Sequence, residues 1–161
     1  MKLKTMLSKI SISAAIAAVT LAPTSVLGAD VSFHGDRVTV ESTRSFDDVT
    51  EAVKSLVSKN GMMVMAEVDQ GKMLSMTGLS LKAKLFLIGN PNVGKQLFEQ
   101  NQAVGLYVPL RLFVYADGSG KTFVAYDRPS SLLGQFSNDK VGMVAKMLDE
   151  KVGGLANMAV Q

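Results

Sequence analysis

With no cysteine among its 161 residues, this chain has neither a disulfide nor a thiolate–metal site to staple it, and it must hold its fold by packing alone. The same absence excludes thiol redox chemistry and cysteine nucleophiles. Histidine is nearly as scarce, since His34 is the single one. No histidine pair can ligate a metal, and a Ser-His-Asp triad would have no other base to draw on. His34 is read as an exposed strand or turn residue rather than a catalytic one.

The start of the chain reads as a cleavable export signal. Lys2, Lys4 and Lys9 come first, with no acid among them, and Ile10 to Ala29 carries no charge. The most apolar part, Ile10 to Leu21, is well short of the roughly 20 apolar residues that span a bilayer. Pro23 and Ser25 break it, and Gly28-Ala29 supply the small side chains a peptidase needs. Cleavage is expected after Ala29, with Gly28 as the other choice. No cysteine stands near the cut to carry a lipid. The expectation is a periplasmic or secreted product that meets a membrane only through its signal before cleavage.

Charge then narrows the partners. The whole chain is net +3, with 17 basic and 14 acidic residues. The leader holds three of those lysines and no acid, which leaves 14 against 14 in the remainder. A neutral domain has no bulk field to gather nucleic acid or an anionic membrane, so nucleic acid is rejected as a partner. Residues 30–161 are of a length that suits one small soluble domain with one core.

Periodicity supplies the elements. Arg37 to Ser42 alternates as a strand. Ser45 and Asp48 fit a helix start, Val49, Ala52, Val53, Leu56 and Val57 recur on one helix face, and Lys59-Asn60-Gly61 fit its end. Met62 to Asp69 reads as a strand with Val64, Ala66 and Val68 on one face and Met63, Met65 and Glu67 on the other. Gly71 to Ser80 fits either a short helix or a loop. Ala83 to Ile88 is an apolar run suited to a buried strand. Asn90 and Pro91 open a helix that runs to about Asn101. Leu110 to Ala116 and Thr122 to Asp127 form a hairpin around Asp117-Gly118-Ser119-Gly120. A short helical turn follows Pro129. A last helix starts near Asn138, buries Val141, Val144, Ala145, Leu148 and Val152, and is expected to stop at Gly153-Gly154. The order β-α-β-β-α-β-β-α predicts a two-layer α+β fold, a mixed sheet of about five strands with helices packed on one face.

Residues 89 to 96, Gly-Asn-Pro-Asn-Val-Gly-Lys-Gln, imitate a phosphate-binding loop, GxxxxGK between a strand and a helix. The chemistry fails at Gln96, where a Ser or Thr hydroxyl would have to hold magnesium. The segment is better read as a helix start, with at most weak anion binding there.

Four segments together resemble the domain-of-unknown-function 302 family: Gly61 to Asp69 (GMMVMAEVD), Leu85 to Pro91 (LFLIGNP), Gly105 to Val114 (GLYVPLRLFV) and Tyr115 to Leu133 (YADGSGKTFVAYDRPSSLL). The resemblance runs from about Phe46 to Val152. It implies an α/β domain, often exported and self-associating, with no established activity. Many relatives carry His after the Asp that ends the second strand, where this chain has Gln70, and others carry Cys near positions held here by Ile88, Gly89 and Leu110. A metal or redox role built on those residues does not carry over.

Three functions compete. The first is a homodimeric binding module for a small molecule or an exported protein partner. Arg111 and Tyr115, which share a strand face with Phe113, together with Tyr126, Arg128 and Lys84, are its candidate residues. The second is Cu(I) handling by clustered thioethers, with Met63, Met65, Met73 and Met76, beside Met62, as ligands. No cofactor is otherwise expected. The third is an enzyme of unnamed reaction. Its candidates are Glu67 and Asp69, two apart on one strand face, with Lys84 or Arg111 near.

Overall fold

The computed structural model describes residues 36–161. The leader and His34 lie outside them. Five strands, β1 (Arg37–Ser42), β2 (Met63–Asp69), β3 (Ala83–Gly89), β4 (Leu110–Ala116) and β5 (Thr122–Asp127), form one sheet in the order β1-β5-β4-β3-β2. The helices are α1 (Phe46–Lys59), α2 (Gln70–Ser75), α3 (Pro91–Phe98), α4 (Pro129–Leu133) and α5 (Asp139–Val160). The α+β architecture and the element order are as expected. Where a mixed sheet is expected, however, every pairing is antiparallel. The crossover through α1 carries the chain from one edge of the sheet to the other, so β1 and β2 are never neighbours.

Alternation decides which side of the sheet packs. Leu112 and Val114 of β4, Val124 of β5, and Phe86 and Ile88 of β3 have no exposure at all. They belong to one core with Val49, Val53 and Val57 of α1 and Leu148, Val152, Leu155 and Ala156 of α5. The helical layer therefore covers this side. Burying a side chain of that size is worth about 1.5–3 kcal/mol, and this layer carries the fold that no disulfide supports.

Local chemistry sets the helix ends. Ser45 caps α1, its hydroxyl accepting from the Asp48 N–H at 3.2 Å and donating to the Asp48 carboxylate at 2.7 Å. Gly61 takes the left-handed backbone, φ +69°, that lets the chain turn into β2. Residues 70–75 resolve the ambiguity after β2 as a short helix, capped by Asp69 accepting from the Lys72 N–H at 2.8 Å. Helix α3 ends at Phe98, earlier than expected, and Asn101 caps a separate 3-10 turn, Gln102–Leu106.

The last helix corrects the expected stop at Gly153-Gly154. It runs through both glycines to Val160, because Leu155, Ala156 and Ala159 continue its buried face. Gly153 answers to crowding instead: a Cβ there would lie 3.1 Å from the Tyr126 hydroxyl oxygen. The far end of α5 is satisfied from β1 and the loop after it. The Ser42 hydroxyl donates to the Val160 carbonyl at 2.8 Å and the Arg44 guanidinium to that of Ala159 at 3.2 Å, which also places a cation at the negative helix end.

Candidate functional site

The sheet's second side bears the candidate site, because no helix among the described residues is packed along most of it. Arg111, Phe113 and Tyr115 stand there on β4, and the register sets Phe113 against Ala125 and Tyr115 against Phe123 of β5. Tyr115 stacks on both sides, with ring centroids 5.1 Å from Phe113 and 5.2 Å from Phe123 and planes 16° and 21° apart. Offset stacking of this kind adds about 0.5–1.5 kcal/mol per pair beyond burial. The three rings form a rigid row on a half-exposed face.

A concavity of about 420 Å³ opens beside that row. Leu85, Phe113, Tyr115 and Ala125 make its apolar floor, and Gln70 at the start of α2 reaches its wall. Arg37, Arg111 and Asp127 make its polar end. The Asp127 carboxylate takes two bonds from the Arg37 guanidinium, at 2.8 and 3.1 Å. That bond, the largest cause, raises the Arg37 pKa further above its ordinary value. Arg111 is exposed and has no carboxylate within ion-pair distance among the described residues.

The expected ligand residues divide. Arg111 and Tyr115 share the helix-free face. Tyr126 borders the same concavity, but its hydroxyl reaches Gly153 of α5 and its ring belongs to the core under the helical layer, where burial pushes the phenol up from its ordinary pKa. Lys84 is paired in register with Val114, a core residue, so it too lies on the helix side. Its ammonium is 2.7 Å from Glu67 and 3.9 Å from Asp69. The bond to Glu67 is the first cause of its raised pKa. Glu67 and Asp69 thus flank a lysine on the helix side, and both carboxylates stay partly exposed. Arg128 lies past the end of β5, 3.0 Å from Asp36.

The methionines do not gather. Met62 is buried in the core, while Met63, Met65, Met73 and Met76 are exposed. Met63 and Met65 stand at the start of β2, and Met65 lies over Gly89, where a Cβ would meet its methyl carbon at 3.2 Å. Met73 and Met76 follow the strand's other end, and seven residues of strand span about 20 Å. A bulge between Val64 and Ala66 also corrects the expected alternation of β2. The extra residue puts Val64 opposite Ile88 and Glu67 opposite Phe86, both on the core side.

The imitation phosphate loop is a helix cap. The Asn90 side-chain oxygen accepts from the N–H groups of Asn92 and Val93 at 2.8 and 3.3 Å, and its amide donates to the Gly61 carbonyl at 2.6 Å. Those donors are spent inside the protein. Phe123, Arg37 and Asp127 were not legible as site residues. Each alternates onto the helix-free face of its strand, but only the pairing of β1 with β5 and β5 with β4 brings them beside Arg111 and Tyr115. No described helix is long and apolar enough to cross a membrane.

Three curated relatives match in sequence. They are fluoride-specific ion channel FluC 1 of Brucella suis biovar 1 (strain 1330), FluC 1 of Brucella abortus biovar 1 (strain 9-941) and FluC 2 of Brucella melitensis biotype 1 (strain ATCC 23456 / CCUG 17765 / NCTC 10094 / 16M). Each is 35% identical over 96 residues, which is 59% of this chain. The match spans only 36–38% of those relatives' length. The fold is shared with a crystal structure of an uncharacterized conserved protein DUF302 from Bacillus stearothermophilus, with TM-score 0.71 and 18% identity over 76% of this chain and 97% of that one. The family model for the domain of unknown function DUF302 matches residues 38–158, nearly all that the structure describes, and the chain belongs to that family.

Proposed function

We propose that this protein is an exported binding module that holds a small ligand or a protein partner on the helix-free face of its sheet and associates with itself. The carrying observation is the row Phe113–Tyr115–Phe123 beside Arg111 and a concavity of about 420 Å³, on the side that the core does not use. Concave, mostly apolar sites of roughly 300–1,000 Å³ with a few polar groups are the usual form of small-ligand sites. Self-association draws support from a second surface. Met73, Leu74, Met76, Leu79 and Leu81, in and after α2, are 55, 38, 82, 51 and 37% exposed, a density of apolar side chains that marks contact surfaces. Export rests on the positive, apolar, small order of the leader.

Native mass spectrometry of protein purified from its host tests both parts. The expected result is a dimer cleaved near Ala29 that retains extra mass, with Tyr115→Ser losing the mass and a Met76→Ser/Leu79→Ser variant shifting to monomer. A bare monomer would overturn the proposal. Retained copper, kept by Tyr115→Ser and lost on removal of Met73 and Met76, would move the function to metal handling.

A second reading comes from the relatives. Because this sequence matches a minor part of proteins named as fluoride-specific channels, the module also fits a companion of a small-ion channel, lying outside the membrane. Co-purification with such a channel, present for the wild type and absent for Met76→Ser/Leu79→Ser, is its expected sign. Fluoride flux from channel-loaded vesicles that is indifferent to added module, with no co-purification, would remove it.

A further inference from the structure

We infer that the concavity on the helix-free face takes a small organic monoanion with a flat apolar body, its carboxylate on Arg111 and its body against Phe113 and Leu85. This rests on the reading of that face as the binding surface and adds the chemistry of the occupant.

The charge arrangement selects an anion. Arg111 on β4 and Asp127 on β5 lie two residues along from Phe113 and Ala125, which pair with one another, so both border the same end of the concavity. Asp127 is bonded to Arg37 through both oxygens and forms no ion pair with Arg111 among the described residues, so two cations share one carboxylate at this end and the balance is positive. The Arg111 guanidinium keeps its fork of donors for something outside the described residues, and a carboxylate matches that fork bidentately. The remaining surface selects the body. Phe113 is stacked on Tyr115 with planes 16° apart, and Phe113, Leu85 and Ala125 line an apolar wall against which a planar group packs. A polyanion or a nucleic acid does not fit a site with one uncompensated cation and a carboxylate beside it.

The test is titration of the intact protein, by calorimetry and by NMR of the aromatic rings, with benzoate, acetate and benzamide. Benzoate is expected to bind saturably and to move the Phe113 and Tyr115 ring signals. Acetate, which lacks the ring, and benzamide, which lacks the charge, are each expected to bind at least about tenfold more weakly. Arg111→Gln is expected to lower benzoate affinity by about tenfold or more, and Arg111→Lys by less, since the ammonium keeps the charge and loses the fork. Lys84→Gln, on the other side of the sheet, should change nothing in this titration.

Equal binding by wild type and Arg111→Gln, acetate binding as tightly as benzoate, or no saturable binding at all would each overturn the inference. Native mass spectra separate that failure from failure of the parent reading. If benzoate does not bind while Tyr115→Ser still removes a retained mass or splits a complex, the face remains the binding surface and only the ligand class falls. If Tyr115→Ser changes neither, both fall together.

Discussion

Strand β4 (Leu110–Ala116) presents two surfaces made by the same seven residues, and they differ in almost everything. Leu110, Leu112 and Val114 are 6, 0 and 0% exposed and lie under α1 and α5. Arg111, Phe113 and Tyr115, between them in sequence, stay partly or fully exposed and are organised by stacking rather than by a second layer. The first surface belongs to the core; the second lies outside it. Mutation should therefore separate the two. Leu112→Ala is expected to cost about 2–5 kcal/mol by urea unfolding, because a fully buried leucine leaves a cavity that rigid neighbours cannot fill. Tyr115→Ala, which breaks two stacked pairs and opens no core cavity, should cost less, about 1–3 kcal/mol. Equal losses would mean that the helix-free face is a second core, covered in the working protein.

Between these extremes lies the excursion that borders the helix-free face through Gln70. It is pinned where α2 meets the chain returning to β3: a Cβ on Gly71 would lie 2.5 Å from the Leu81 carbonyl oxygen and 3.3 Å from the Ala83 nitrogen. Both are backbone atoms, which cannot rotate aside. Gly71→Ala is expected to cost about 1–3 kcal/mol and to raise hydrogen exchange across residues 70–82 more than in α5. Exchange that rises evenly through the molecule would show the excursion to be part of the core's cooperative unit.

The sequence reached one of these surfaces more easily than the other. Core positions announce themselves by period, so the buried faces of α1 and β4, the Ser45 and Asn90 caps and the Asp117 turn were all legible. At that turn the Asp117 carboxylate accepts from the N–H groups of Ser119 and Lys121 at 2.9 and 3.0 Å. Family membership was legible too, from the spacing of four segments. Features set by pairing were not. Nothing in Thr122 to Asp127 says that Phe123 will stack on Tyr115, or that Asp127 will be claimed by Arg37, 90 positions earlier. The bulge in β2 is invisible for the same reason, since its extra residue is defined only against β3. Gly153-Gly154 misled because a close approach by Tyr126 and a helix stop call for the same residue.

Tyr126 offers the finest test of the two-surface division, since it was expected in one site with Arg111 and Tyr115 and one residue of parity turns its phenol to the other side. Burial raises its pKa, the Arg128 guanidinium pulls the other way, and Asp149 adds to the rise. An unfolded tyrosine ionises near pH 10, so holding this phenol neutral stabilises the fold fully below that pH. The contribution is lost as pH rises from there through the folded value, because the unfolded chain gives up its proton first. Tyr126→Phe should therefore match the wild type within about 0.5 kcal/mol at neutral pH and lose less stability than the wild type above about pH 10. Chemical unfolding at matched pH values reads the difference. The phenolate absorbance of wild type minus Tyr126→Phe should show one phenol titrating later than an unfolded tyrosine. A phenol that instead titrates as in the unfolded chain would show Tyr126 to be solvated rather than held in the core.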